Sequence, residues 1–221
     1  MYEGSGQVVH DLSGHGNNGQ LGSTPGVDAN DPTWIKGILF GSALRFSGNQ
    51  FVRIPDSTSL EPTDLTISAW VRSGSSPGIA KQIVGKGASD CDASSYALYT
   101  GVDGGLTFYV ATADHKFFRT SSIAAASIWN NKWHHVAGTF DSSTGTAKLF
   151  VDGKQIGDST AVSGPIGYDT PNTGDMGFGN YFGTCDLFYT GDIDEVALFS
   201  QALPIDKYYA ALALLFPKPL R

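Results

Sequence analysis

The chain has 221 residues, 28 of them glycine, with 16% charged residues and a formal net charge of −7. An acidic balance without a Lys/Arg run excludes a track for phosphate backbones, and the longest apolar stretch, Ala210–Phe216, falls well short of the ~20 residues that span a bilayer. Abundant glycine beside Thr, Ser, Val, Phe and Tyr suits one large all-β domain of short strands and tight turns, and a domain of this length buries roughly 70% of its unfolded surface without needing a disulfide.

Strand signals recur at short, even spacing with no internal repeat or low-complexity tract, as in a sandwich or barrel. Ala43–Phe46 comes first, then Phe51–Ile54 after the Gly48-Asn49 turn. In Thr66–Arg72, Ile67, Ala69 and Val71 share one face, and Ser68, Trp70 and Arg72 the other. Gln82–Gly85 follows, and then Tyr96–Thr100 and Leu106–Ala111, joined through Asp103-Gly104-Gly105 as a hairpin. His115–Thr120 comes next, then Trp133–Phe140, with Val136 and Phe140 opposite Trp133, His135 and Thr139. Thr146–Val151 runs through Asp152-Gly153, a strong hairpin signal, into Lys154–Gly157. Met176–Gly179 and Gly191–Phe199 complete the strands. Pro204 then opens one short helix, with Ile205, Tyr208, Tyr209, Leu212 and Leu215 at helical spacing, and Pro217 and Pro219 stop it.

Six stretches resemble the laminin-G-like jelly-roll family of the concanavalin A-like lectins and glucanases. They are Val8–Leu21 (VVHDLSGHGNNGQL), Ala43–Gly48 (ALRFSG), Leu65–Val71 (LTISAWV), Lys132–Asp141 (KWHHVAGTFD), Lys148–Gly157 (KLFVDGKQIG) and Gly191–Leu203 (GDIDEVALFSQAL). They follow the family's order and spacing over nearly the whole chain. The resemblance implies an all-β antiparallel sandwich of jelly-roll topology with one short C-terminal helix, spanning residues 1–212, with 213–221 as a tail or linker. It says less about ligand, since one fold hosts many functions. The family's aromatic-rich strand before Glu3-Gly4-Ser5-Gly6 has no counterpart, and the start carries no leader pattern, so the expectation is a piece trimmed from a larger secreted or surface protein.

Catalysis finds little support. Related glucanases carry Glu-x-Asp-x-x-Glu, and a hydrolase needs two carboxylates flanking the bond. The nearest equivalent here is Asp192, Asp194 and Glu195; Asp194 and Glu195, being adjacent, point to opposite faces, and no second acid completes a dyad. His134 and His135 have no nucleophile beside them and read as strand residues. His10, His15 and His115 lack zinc spacing.

Asp194 shares a face with Val196 and Leu198, expected to face the core, and a buried carboxylate needs a cation or N–H donors. The glycine-rich turn Asp11–Gly19 offers carbonyls, Asp11 and Asn17, so Asp11, Asn17 and Asp194 form a candidate oxygen shell for a structural calcium, which many relatives hold between such a turn and the terminal strand. The alternative is an Asx turn with Asp194 satisfied by N–H groups.

Cys91 and Cys185 each precede an Asp in a polar loop; two free thiols or one disulfide are both open, the latter implying an oxidising compartment. A Cys91–Cys185 bond would bring the loops together and gather Asp90, Asp92, Ser94, Tyr96, Asn180, Tyr181, Asp186 and Tyr189 as a ligand site, with rings for the apolar face of a sugar and acids and amides for its hydroxyls. Trp70, Trp133, His135 and Phe150 form a second possible platform. The expectation is a non-catalytic module binding a glycan or glycoprotein, without nucleic acid or membrane insertion, beside neighbouring domains of a larger parent. An adhesion spacer, or a hydrolase or lyase with an atypical site, are the alternatives.

Overall fold

The computed structural model describes residues 1–38, 41–89, 91, 94–170 and 173–215. Fifteen strands are described. They are β1 (Val8–Val9), β2 (Gly19–Leu21), β3 (Thr33–Lys36), β4 (Ser42–Ser47), β5 (Val52–Ile54), β6 (Leu65–Arg72), β7 (Gln82–Ala88), β8 (Tyr96–Thr100), β9 (Leu106–Ala111), β10 (Phe117–Arg119), β11 (His134–Asp141), β12 (Thr146–Val151), β13 (Lys154–Ala161), β14 (Thr173–Phe178) and β15 (Thr190–Phe199). Two helices, α1 (Ala125–Ile128) and α2 (Ile205–Ala213), join them. The reading in sequence order missed β1, β2, β3 and α1, which are short and carry no clean period.

The strands form two antiparallel sheets, of eight strands in the order β1-β2-β5-β14-β7-β8-β9-β10 and of seven in the order β13-β12-β11-β6-β15-β4-β3. This is a jelly-roll sandwich. The rows at Ile67, Ala69 and Val71 and at Val136 and Phe140 face inward, meeting Val84, Leu98, Phe108, Val110 and Met176 from the other sheet in one buried cluster. Gly138 lies under Phe108 because any β carbon there would overlap the ring. The Asp152-Gly153 turn has both residues at positive φ, 49° and 76°, which matches the right-handed twist of the paired strands β12 and β13. Gly153 has a second reason to lack a side chain, since Tyr209 packs where a β carbon would stand. Among the described residues no helix is long and apolar enough to cross a membrane. Helix α2 ends at Ala213, one residue beyond the boundary drawn at 212, and residues 216–221 of the expected tail lie outside the described residues.

One expectation is corrected in β15. Asp194 pairs with Trp70, but Ala197 pairs with Ser68, so one extra residue is inserted between them. Glu195 sits in the insertion at φ 45°. The bulge reverses the alternation. Ile193, Val196 and Leu198 face the core, whereas Asp194 faces outward beside Trp70. Asp194 thus does not share a face with Val196 and Leu198.

The outward row Asp194–Trp70–His135 is covered by α2. Tyr209 lies 6.2 Å from the Trp70 ring and 5.6 Å from His135, and Tyr208 lies 5.7 Å from His135. Trp70 and His135 are therefore buried members of a helix–sheet interface, not an open platform. Asp194 is 0% exposed, and its two oxygens accept the N–H of Ile38 and of Glu195, each at 2.8 Å. Burial pushes its carboxyl up to about 6 against the pull of the Ile38 N–H, and burial pushes the His135 imidazole down to about 4.

These two groups drive stability in opposite directions over one pH window. Between an unfolded value of ~3.9 and about 6, native Asp194 holds a proton that the unfolded chain has lost, so its contribution falls as pH rises. Between about 4 and an unfolded value of ~6.5, unfolded His135 holds a proton that the native ring refuses, so its contribution rises with pH. Urea unfolding in small steps from about pH 4 to about pH 6 should therefore show Asp194→Asn gaining stability with pH more steeply than the parent, and His135→Gln less steeply. The slope differences should be of opposite sign and at most about 1.4 kcal/mol per pH unit. Parallel curves for all three proteins would show that neither group titrates as its burial requires.

Candidate functional site

The outer face of the eight-stranded sheet carries a row running through its register. Gln20 pairs with Arg53, Arg53 with Gly177, Gly177 with Gly85, Gly85 with Ala97, Ala97 with Tyr109, and Tyr109 with Arg119. Its middle is made of three small residues. That trough is filled by the chain itself. The Phe182 ring lies over Gly177, where a β carbon would stand 2.5 Å from it, and the Gln82 side chain lies over Gly85.

The loops over the trough are joined by the Cys91–Cys185 disulfide, with Cα atoms 5.2 Å apart. Hydrogen bonds fasten them to the sheet. The Ser89 N–H donates to the Tyr181 hydroxyl at 2.9 Å, the Ser94 N–H to the Tyr109 hydroxyl at 2.7 Å, and Gln82 Nε2 to the Asn180 carbonyl at 3.3 Å. Burial pushes the Tyr109 phenol well above its ordinary value, so it stays protonated.

The expected ligand residues therefore divide. Asp90 and Asp92 lie outside the described residues. Asp186 is exposed on the loop, while Asn180 and Tyr181, only 2% exposed in the latter case, hold the loop down. Tyr96 and Tyr189 are both 0% exposed and belong to the inter-sheet core, where Tyr96 donates to the Leu60 carbonyl at 2.9 Å and Tyr189 packs on Phe46 and Trp129. These last two present no ring to a ligand, because Tyr96 alternates inward on β8 and Tyr189, just before β15, turns its ring into the same core.

The loop pair leaves concave surface on either side. Toward β2 and β5 lies a cleft of about 340 Å³ lined by Val8, Asn18, Gln20, Phe51, Arg53 and Pro55, among others. At its edge the rings of Phe51 and Phe182 meet edge to face at 5.4 Å, and the Arg53 guanidinium lies 5.2 Å from the Phe182 ring centre. Arg53 Nε is held by Asp175, which leaves its other N–H groups toward solvent. Phe51, Arg53 and Pro55 alternate with the inward Val52 and Ile54, and that alternation was visible in the sequence. That Gln20 and the loop at Phe182 would stand beside them was not.

The expected calcium shell is not brought together. The Asp11 carboxylate accepts the Ser13 N–H and hydroxyl, both at 2.8 Å, and the Asn17 N–H at 3.0 Å. Burial works to raise its pKa, yet these Ser13 and Asn17 donors hold it below the usual carboxylate range. The Asn17 amide exchanges hydrogen bonds with Ser59 Oγ. This is an Asx turn tied to the Thr58–Leu60 turn. Asp194 has other partners on the outer face of the other sheet, and among the described residues no three His, Cys, Asp or Glu side chains converge as a metal cage.

The carboxylates considered for hydrolysis are also committed. Asp192 is clamped by Arg45 Nε at 2.7 Å and by Arg72 through Nε at 2.8 Å and Nη2 at 2.6 Å, and Arg72 lies 4.6 Å over the Trp133 ring. His134 Nδ1 lies 2.7 Å from Asp152, in a turn-stabilising pair.

The disulfide closes a loop of sequence separation 94, so its loss should be felt throughout the face. The double variant Cys91→Ser/Cys185→Ser should lose about 2–4 kcal/mol in denaturant unfolding. An intact mass, taken without reductant, equal to the fully reduced value would contradict the bond.

The sequence and fold are similar to known proteins. The binding domain of Paraclostridial mosquitocidal protein 1 is 18% identical with a TM-score of 0.69, over 96% of this chain and 51% of that one. Domain 4 of AbnA, a GH43 extracellular arabinanase from Geobacillus stearothermophilus solved with arabinotriose, is 19% identical with a TM-score of 0.63, over 86% of each chain. The binding domain of botulinum neurotoxin DC, solved in complex with SialylT, is 15% identical with a TM-score of 0.63, over 92% of this chain and 48% of that one. The chain thus spans about half the length of the toxin domains it matches. No curated protein sequence matches it. The laminin-G-like model of the concanavalin A-like lectin/glucanases superfamily matches residues 46–206, more than half of the chain, and the protein belongs to that superfamily.

Proposed function

We propose that this domain is a non-catalytic module that binds a carbohydrate or glycoprotein on the outer face of its eight-stranded sheet, outside the cell or on its surface. The observation that carries the reading is the cleft of about 340 Å³ along β2 and β5, with the Phe51–Phe182 ring pair at its edge. Its size lies within the ~300–1,000 Å³ common to ligand pockets. It combines a ring from Phe51, amides from Asn18 and Gln20 and the unspent guanidinium donors of Arg53, the groups that meet the apolar face and hydroxyls of a sugar. The solved neighbours with arabinotriose and SialylT lend the same ligand class support. Two further features favour binding over hydrolysis and an extracellular setting. Asp192 is neutralised by two guanidiniums and is unsuited to act as acid or nucleophile, and the disulfide fits an oxidising compartment.

A glycan array, run once with calcium and once with chelator, tests this directly. Binding to a defined sugar class is expected, and Phe51→Ala and Arg53→Ala should each weaken it about tenfold or more, the loss of one good anchor contact, with the domain still cooperatively folded. Chelator-sensitive binding would bring a metal into the site. A blank array in both conditions would replace this reading with an adhesion or spacer role.

A further inference from the structure

On the far side of the disulfide loops from the Arg53 cleft lies a smaller cavity of about 170 Å³. Three groups of residues wall it: Ser89, Ser94 and Ser95, the β9–β10 hairpin, and residues 166–170. Backbone hydrogen bonds hold these walls together. The Ala113 N–H donates to the Pro165 carbonyl at 3.0 Å and the Gly167 N–H to the Ala111 carbonyl at 2.9 Å, and Gly167 allows this approach because a β carbon there would stand 2.9 Å from the Thr112 carbonyl oxygen. Ser95 is pinned in the same way, its N–H donating to Lys86 and its carbonyl accepting from Ala111.

Ser95 is 1% exposed, and among the described residues its hydroxyl has no hydrogen-bond partner. A buried hydroxyl without a partner is uncommon and calls for an explanation. The hydroxyl stands over Gly87 on the side where Thr170 lines the cavity, 3.2 Å from the position a Gly87 β carbon would take, with Thr170 Oγ1 2.9 Å from the same point. At the mouth are the side chains of His115 and Asp169, both exposed and neither engaged in a hydrogen bond or ion pair among the described residues. His115 is held at φ 59° by a turn in which its N–H donates to the Thr112 carbonyl at 2.8 Å. The Phe117 ring supplies an apolar wall.

We infer that this cavity is a second sugar subsite, one that receives a single neutral monosaccharide unit with a ring hydroxyl on Ser95 Oγ. The inference rests on the glycan-binding reading and deepens it. The volume is below the ~300 Å³ at which pockets usually take drug-sized ligands, yet it is several times the ~30 Å³ share of one water. A lone water would satisfy Ser95 and leave most of the space empty. Hydroxyls, an imidazole and a carboxylate around one ring suit a polyol, with Phe117 against its C–H face. The Asp169 carboxylate at the mouth selects against acidic sugars, because an anionic ligand would meet like charge there.

The test is an amide NMR titration of the whole domain with arabinose and galactose as neutral probes and N-acetylneuraminic acid as the acidic one. The neutral sugars should shift the amides of Ser95, Thr112, His115 and Gly167, while the acidic sugar should not. Ser95→Val, which removes the hydroxyl and fills space, should weaken neutral-sugar binding about tenfold. The surface variant Asp169→Asn, which should keep the parent melting temperature, should admit the acidic sugar. Neutral-sugar shifts confined to Gln20, Phe51 and Arg53, or shifts at the cavity unaffected by both variants, would overturn the subsite and leave the glycan-binding reading standing. Oligosaccharide bound without any shift at the cavity would do the same. Failure of every sugar to bind the parent domain would overturn both.

Discussion

Phe108 of the eight-stranded sheet rests its ring on the bare backbone of Gly138 in the seven-stranded one, and the two inner faces close around that contact. Each strand has two faces, and the inner one is committed to this packing. Whatever the domain does with another molecule is left to the outer rows, the loops and the ends. The burial of Tyr96 and Tyr189 is a direct consequence: their rings extend the core that Phe108 begins, and neither side chain reaches the surface.

The outer faces are then used differently. The seven-stranded sheet exposes a large aromatic row to α2, which supplies Tyr208 and Tyr209 to cover Trp70 and His135. The eight-stranded sheet presents small residues in the middle of its row, and the Phe182 ring, from the loop tied down by the disulfide, and the Gln82 side chain settle into the trough they leave. The middle of that face is closed by Phe182 and Gln82, and both concave surfaces are consequently pushed to its flanks. This division explains why the binding reading and the subsite inference concern one sheet and not the other.

Charge follows the same logic. Buried or half-buried ionic groups are answered within the fold. Asp192 meets Arg45 and Arg72, and the Lys86 ammonium, 1% exposed, meets Asp56 at 2.5 Å, Glu61 at 3.1 Å and the Gly174 carbonyl. Removing one partner from such a group strands the other, so these residues are held to structural work. Arg53 on one flank and His115 with Asp169 on the other stand at the two concavities with hydrogen-bonding capacity unspent.

Much of the architecture was legible in the residues. Alternation in Leu65–Arg72 and His134–Asp141 marked which side chains share a row, Asp152-Gly153 specified a turn that needs two positive φ angles, and the spacing from Pro204 to Leu215 gave α2. The site was much less so, for physical reasons. Alternation says which side chains share a face but not which face another element will cover, so Trp70 and His135 read equally well as platform and as interface. A bulge inserts one residue without marking it, and Glu195, not a glycine, takes the left-handed conformation that turned Asp194 away from Val196 and Leu198. The cleft at Arg53 joins β2 and β5, and Phe182, from a loop more than a hundred residues later, meets Phe51 at its edge. The sequence by itself determined most of the longer strands, which side chains share a face, and the family. Only the tertiary structure decided which outer surfaces remain concave, because that depends on how distant segments pack over rows that are locally alike.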